Sequence, residues 1–256
     1  MSKHCTIKII IFFFITLPAF GVPSAMEVMK SMEEQQQLET DITTKIKITS
    51  REEDEGVTVH EAIFYRRDSD DAFLIVFTAP ETEKGNGYLR VGDNIWLYRR
   101  NTRTFQHINR DESIGGTDAR AGDFEMRKFS ELYEPATDEE GEEIISEETL
   151  GSAGIPVYRL EITAKVNDVT YPRQIVWVTR DKYLPLKSEQ YSLSGTLMQT
   201  VYYRKYTEIG GKYFPVQQLS IDEFEEGNRT IVEFSGISLS PIKDSVFTKA
   251  YLENLS

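Results

Sequence analysis

The sequence predicts a mostly β, α+β fold: one large antiparallel sheet of about 11 strands, curled into an incomplete β-barrel, with helices covering its concave side. Three observations predict it. Apolar residues recur with a period of two in many short runs separated by Gly, Asn and Asp. Three stretches, near the start, in the middle and at the end, carry helical spacing instead. There is no strand–helix–strand alternation and no repeat of fixed period, so neither a parallel sheet nor a solenoid is indicated. So many twisted strands in one sheet must curl or close, and helices with apolar stripes need a surface to lie on.

The elements follow in order. Lys3, His4 and Lys8 precede an unbroken apolar run from Ile9 to Phe20 and then the small residues Gly21 to Ala25. That is the order of a secretory signal peptide, and the run falls well short of the roughly 20 residues that a membrane-spanning helix needs. Residues 1–25 are read as the signal, cleaved after Gly21 or after Ala25, with Pro23 making the second site the less comfortable; residues 26–256 are one domain. Residues 26–39 lack Gly and Pro and space Met26, Met29 and Met32 by three, as one amphipathic helix would. Ile42, Thr44, Ile46 and Ile48 then begin the alternation, followed by strands at 57–65, 72–78, 88–91, 95–99 and 104–108.

Residues 111–122 hold Gly115, Gly116 and Gly122 in a polar, charge-mixed setting and read as a loop. Asp123 caps a helix from Phe124 to Tyr133, with Met126, Phe129 and Tyr133 on one stripe, Phe124 and Leu132 on its edges, and Pro135 ending it. A second set of strands follows at 158–164, 171–179, 187–193, 197–206, 216–221 and 230–235, with Gly195, Gly210, Gly211 and Gly227 in the turns. Ser245 to Leu255 reads as a last short helix.

Composition removes several classes of chemistry. Cys5 is the single cysteine and stands before the apolar run, whereas a lipidation signal places its cysteine just after such a run. The mature chain is therefore expected to be unlipidated, without disulfides, thiolate metal sites or thiol nucleophiles. Losing a signal that carries Lys3 and Lys8 and no acid takes the net charge from −13 to −15, which repels nucleic acid and anionic lipid surfaces. His60 and His107 stand in predicted strands without metal or catalytic spacing, and a solvent-facing strand histidine explains each. The acidic run at Asp138, Glu139, Glu140, Glu142 and Glu143 lacks a calcium-loop pattern and reads as a solvated loop; Asp118 and Asp123 read as turn and cap residues. No catalytic residue, metal or cofactor is expected. The aromatic residues, 14 Phe, 13 Tyr and 2 Trp, spread over the strands, which suits either an ordinary β core or a concave face left open for a hydrocarbon chain.

Several segments resemble one family. GDNIWLYRRNTRTFQHI, preceded by FTAPETEKGNGYLRV, is similar to the strand-turn-strand core of LolA-like outer-membrane lipoprotein-sorting proteins. GGTDARAGDFEMRKFSELYE, VYRLEITAKVNDVTYPRQIVWVTRDKYLPLKSEQY, IGGKYFPVQ and DSVFTKAYLENL follow in the same order and spacing, so the resemblance spans nearly the whole mature chain. It implies an incomplete barrel with a helical lid and an apolar cavity for acyl chains, without catalytic residues. Lipid-binding candidates are then Phe77, Leu89, Trp96, Tyr98, Leu160, Ile162, Ile175 and Trp177, and lid candidates are Phe124, Met126, Phe129, Leu132 and Tyr133. The implied setting is the periplasm. The implied partners are lipoprotein or lipid acyl chains, an inner-membrane transporter and an outer-membrane acceptor, with the protein itself a monomer. A sensor or adaptor of the same fold, bound to a transporter or regulatory protein, is the alternative, and an enzyme acting on envelope polymers would require paired carboxylates in a polar cleft.

Overall fold

The computed structural model describes residues 21–53, 56–125 and 128–255. The apolar run read as a signal, and Met126, lie outside them. Helix α1, Ala25–Gln36, starts where Ser24 and Glu27 cap each other: Glu27 N donates to Ser24 Oγ at 3.2 Å and Ser24 N donates to Glu27 Oε2 at 2.9 Å. Its buried side is Ala25, Val28, Met29 and Met32, which lie at helical spacing.

The strands are β1 Asp41–Glu52, β2 Gly56–Arg67, β3 Ala72–Ala79, β4 Gly87–Val91, β5 Asn94–Arg99 and β6 Thr104–Ile108, then β7 Tyr133–Pro135, β8 Ile145–Leu150, β9 Ile155–Ala164, β10 Arg173–Thr179, β11 Pro185–Tyr191, β12 Leu197–Ile209, β13 Lys212–Asp222 and β14 Arg229–Ser238. They form one antiparallel sheet in the order β6-β5-β4-β3-β2-β1-β14-β13-β12-β11-β10-β9-β7, with β8 also beside β9. The first and last strands of the chain, β1 and β14, join the two meanders at the centre, and the sheet stays open between β6 and β7/β8. The fold is therefore the open, mostly β architecture that the sequence predicts.

β7 and β8 are additions to the predicted strands. They divide one edge of β9 between them, β7 along Ile162–Ala164 and β8 along Ile155–Leu160. Neither alternates apolar and polar residues; the backbone ladder and Trp177 Nε1 donating to Glu148 Oε2 at 3.2 Å hold β8 in place. β7 also corrects the helix expected from Phe124 to Tyr133. Ala121–Phe124 is a 3-10 turn, helix α2 is the single turn Phe129–Leu132, and Tyr133 already pairs with Ala164. The edge of β9 gives the backbone of Tyr133 and Glu134 its partners in place of a second helical turn.

The last helix is shorter than expected as well. A 3-10 turn at Asp244–Phe247 precedes α3, Lys249–Asn254, which Thr248 caps through Tyr251 N at 3.2 Å. Val246, Phe247 and Leu252 pack on Leu74, Val76 and Leu89, on the face away from the lid. The run AFLIVFT is consequently covered on both sides. Phe73, Ile75 and Phe77 face a second core made with Ile114, Ala119, Ala121 and Phe124 of the 109–124 loop, which plugs the concave face over β2–β5.

Candidate functional site

Beyond that plug the concave face is hollow. β2 and β10 are six strands apart, about 29 Å if the sheet were flat, yet Phe64 and Gln174 line one chamber, so the sheet curls around it. Its volume is about 540 Å³, within the range of ligand pockets. α1 and its C-cap Gln37 roof it with Met32, Glu33 and Gln36, and residues 119–125 and 128–131 close the adjoining side with Phe124 and Phe129. The two lids are clasped to each other: Ser130 N donates to Glu33 Oε1, and Ser130 Oγ donates to Glu33 Oε2 at 2.9 Å. Lys212 Nζ donates to the Glu34 carbonyl at 2.5 Å and ties α1 to the β12–β13 hairpin.

One end of the chamber is aromatic. Phe64 meets Phe124 edge-on at 5.7 Å and Phe234 at 6.4 Å, and Phe234 meets Phe214 at 5.2 Å. Arg66 lies over the Phe214 ring at 5.7 Å and pairs with Asp68 at 2.8 Å. Burial pushes the Arg66 pKa down and the Asp68 pKa up, and each charge offsets part of the other's desolvation.

The wall over β10–β13 is polar. Register places Gln174, Gln190 and Gln199 side by side on β10, β11 and β12, and Val176, Ser188, Val201 and Ser220 in the next row but one along the strands. Tyr203 and Gln218 stand opposite each other beyond that. Tyr171 OH donates to Gln199 Oε1 at 3.0 Å from the β9–β10 loop. Burial, reinforced by the charge of Asp123, pushes both Tyr171 and Tyr203 up to about 12.

Asp123 lines this space with its side chain open to solvent. Partial desolvation by the chamber walls raises its carboxyl, with Glu125 adding to the rise, while the Arg120 N–H at 2.8 Å and the Arg120 charge oppose it.

The predicted site residues divide by face. Phe77, Leu160 and Ile162 lie on the concave face, Phe77 under the plug and the other two under α1. Leu89, Trp96 and Tyr98 lie on the opposite face with the C-terminal segment, and Ile175 and Trp177 on that same outer face with Val157 and Leu186. None of these eight lines the chamber. Of the lid candidates Phe124 and Phe129 line it, while Leu132 and Tyr133 pack under α1.

His60 faces Phe77 at 5.5 Å and is buried, where the sequence predicts a solvent-facing strand histidine; burial lowers its pKa. His107 sits edge-on to Trp96 at 6.1 Å. The acidic run is a self-bonded turn, with Asp138 Oδ1 accepting from Glu140 N and Glu142 N at 3.0 and 2.9 Å. Asp118 accepts from Thr230 Oγ1 at 2.8 Å and pins the plug to β14. Among the described residues no group of His, Cys, Asp and Glu is placed to hold a metal, and no helix is long and apolar enough to cross a membrane.

The chamber residues left a faint trace in the sequence. PLKSEQY in β11 is polar in both phases, Ser188 and Gln190 on one face and Lys187 and Glu189 on the other. A strand inside a sheet that is polar on both faces has no dry core to face.

The sequence model of a family described as "Uncharacterized protein" matches residues 69–254. The chain belongs to that family. In fold it is LolA-like. A LolA superfamily protein from Nitrosomonas europaea superposes with a TM-score of 0.75 at 21% identity, over 90% of this chain and 100% of that one. A putative outer membrane lipoprotein-sorting protein domain from Vibrio parahaemolyticus gives 0.77 at 17% identity, over 90% and 98%. A DUF1329 family protein from Desulfovibrio piger gives 0.78 at 20% identity, over 90% and 100%. No curated protein matches the chain.

Proposed function

We propose that this protein is a soluble, unlipidated periplasmic carrier that holds the acyl part of a lipoprotein or lipid in the chamber and moves it between the inner and outer membranes. The observation that carries the reading is the unfilled chamber of about 540 Å³ beneath two clasped helices, with phenylalanines at one end. Shielding a hydrocarbon chain gains about 0.8 kcal/mol per methylene, and the two lids, joined to each other through the Glu33 carboxylate, can part there to release it. A transporter in the inner membrane would load it and an acceptor in the outer membrane unload it.

A binding role suits the acids of the chamber better than catalysis. Glu125 and Asp71 pair with Arg90, Asp68 with Arg66, and Glu33 with Ser130, so among the described residues Asp123 has no second uncommitted carboxylate beside it for acid–base work. The same reading includes export by a signal cleaved after Gly21. Removal through Ala25 would delete the Ser24 cap and expose an end that Ala25 N now anchors to Glu143 Oε2 at 2.6 Å, with Ala25 wholly buried.

Native mass spectrometry of the protein purified from its own envelope tests both parts. The expected spectrum shows a polypeptide beginning at Val22 with one stoichiometric acyl-bearing molecule. An empty chain that arrives with a bound protein instead would support the adaptor and overturn the carrier.

A further inference from the structure

The polar end of the chamber has more to do than tolerate hydrocarbon. Gln174, Gln190 and Gln199 form one cross-strand row over β10, β11 and β12, facing inward, with Gln174 and Gln199 almost fully buried. A primary amide offers two donors and one acceptor. Gln199 Oε1 is engaged by Tyr171, while Gln190 Oε1 is buried and has no hydrogen-bond partner among the described residues. Three adjacent amides on a sheet face that could have been dry make an array of donors and acceptors in need of a polar occupant.

The surroundings of the row define the charge of that occupant. Asp222 pairs with Gln199 in register, and the negative field of Asp123 reaches Tyr171 and Tyr203, so an anion is disfavoured. The cations bordering the chamber are committed elsewhere or outside the row: Arg66 pairs with Asp68 at the aromatic end, and Lys128 lies 3.6 Å from Glu131. Arg120 gives its Nη1 to the Asp111 carbonyl at 2.7 Å and also hydrogen-bonds Tyr171 beside the row, where the charge of Asp123 opposes its own. At the other end Phe64, Phe214 and Phe234 offer surface for a hydrocarbon tail. From Gln199 to Tyr203, the chamber residues at the two ends of β12's share of the wall, the distance is roughly 13 Å at the rise of a strand.

We propose that the cargo is an amphiphile with an uncharged, hydroxyl- or amide-bearing head group, seated against the glutamine row with its acyl chain running to the phenylalanines. This rests on the carrier reading and narrows it. The chamber then selects by head group as well as by tail, because an anionic head would stand beside Asp123 without a free counter-cation.

Calorimetric titration of the mature protein at pH 8, below each critical micelle concentration, tests the selection with two amphiphiles of one chain length, monolauroylglycerol and laurate. Monolauroylglycerol is expected to bind at least about tenfold tighter than laurate. Gln190→Leu with Gln199→Leu is expected to weaken that preference while keeping affinity for the tail. Laurate binding as tightly as the glycerol ester overturns the head-group assignment and leaves the carrier standing. Failure of both to bind overturns both. Should the double variant fail to fold, the series on the parent protein decides alone.

Discussion

Arg90→Met is expected to lower the free energy of unfolding by about 3 kcal/mol, the low end of the cost of breaking a buried pair, because buried Glu125 loses one of its two cations and keeps Arg110 while Asp71 is open to solvent. Arg90 is almost wholly buried under the plug, with Nη1 at 2.5 Å from Glu125 Oε1, Nη2 at 2.5 Å from Asp71 Oδ2 and Nε donating to the Gly92 carbonyl at 2.7 Å. Glu125 also receives Arg110 Nε at 2.8 Å, and Arg110 continues to Asp168 in the β9–β10 loop. One carboxylate thus links β4, the end of the plug and the second meander across the open side of the sheet. The variant keeps the apolar stem of the side chain and removes only the cation, so the loss reports the charge. Replacing Glu125 by Met in the same chain is expected to recover part of it, because an apolar pair has no charge to strand. Chemical denaturation of parent, single and double variants reads both effects. A single variant within about 1 kcal/mol of the parent would show that the network is not needed to hold the plug.

Much of this architecture is legible in residues. Period-two runs such as Ile42 to Ile48 mark strands because one face is buried and the other wet, and the register follows from that alternation. The open edges and the helical roof follow from strand number and from the Met29–Met32 stripe. Long-range pairing is another matter. Tyr133–Pro135 reads as the end of a helix because its partner Ile162–Ala164 lies far along the chain, and no local pattern reports a vacant edge.

The chamber escapes a reading of the residues for a related reason. Both phases of NIWLY are apolar, so the residues alone do not say that Trp96 and Tyr98 belong under the C-terminal segment, and the same holds for Ile175 and Trp177 beneath Leu186. Large aromatic residues mark where a protein is dry on both faces. The hollow lies where the strands are polar in both phases, at Ser188, Gln190 and Gln199, a pattern that core packing alone gives no reason to seek.

Val201→Trp is expected to leave the fold intact and empty the carrier. Val201 stands between Ser188 and Ser220 on the chamber wall, two residues from Gln199 on the side toward the phenylalanines. In a close-packed core such an enlargement forces off-rotamer side chains at a cost of about 1–3 kcal/mol, but an indole directed into an unfilled chamber meets space and new apolar surface. Stability should therefore change by less than about 1 kcal/mol, while the occupancy of acyl-bearing cargo in protein isolated from its envelope falls at least about tenfold. The comparison separates a void that serves a ligand from one that is a defect of packing. Filling a defect raises stability and changes nothing else, whereas filling a binding chamber removes the ligand and the ligand's own stabilising contribution with it. A Val201→Trp chain that still arrives with stoichiometric cargo would place the bound molecule somewhere other than this hollow.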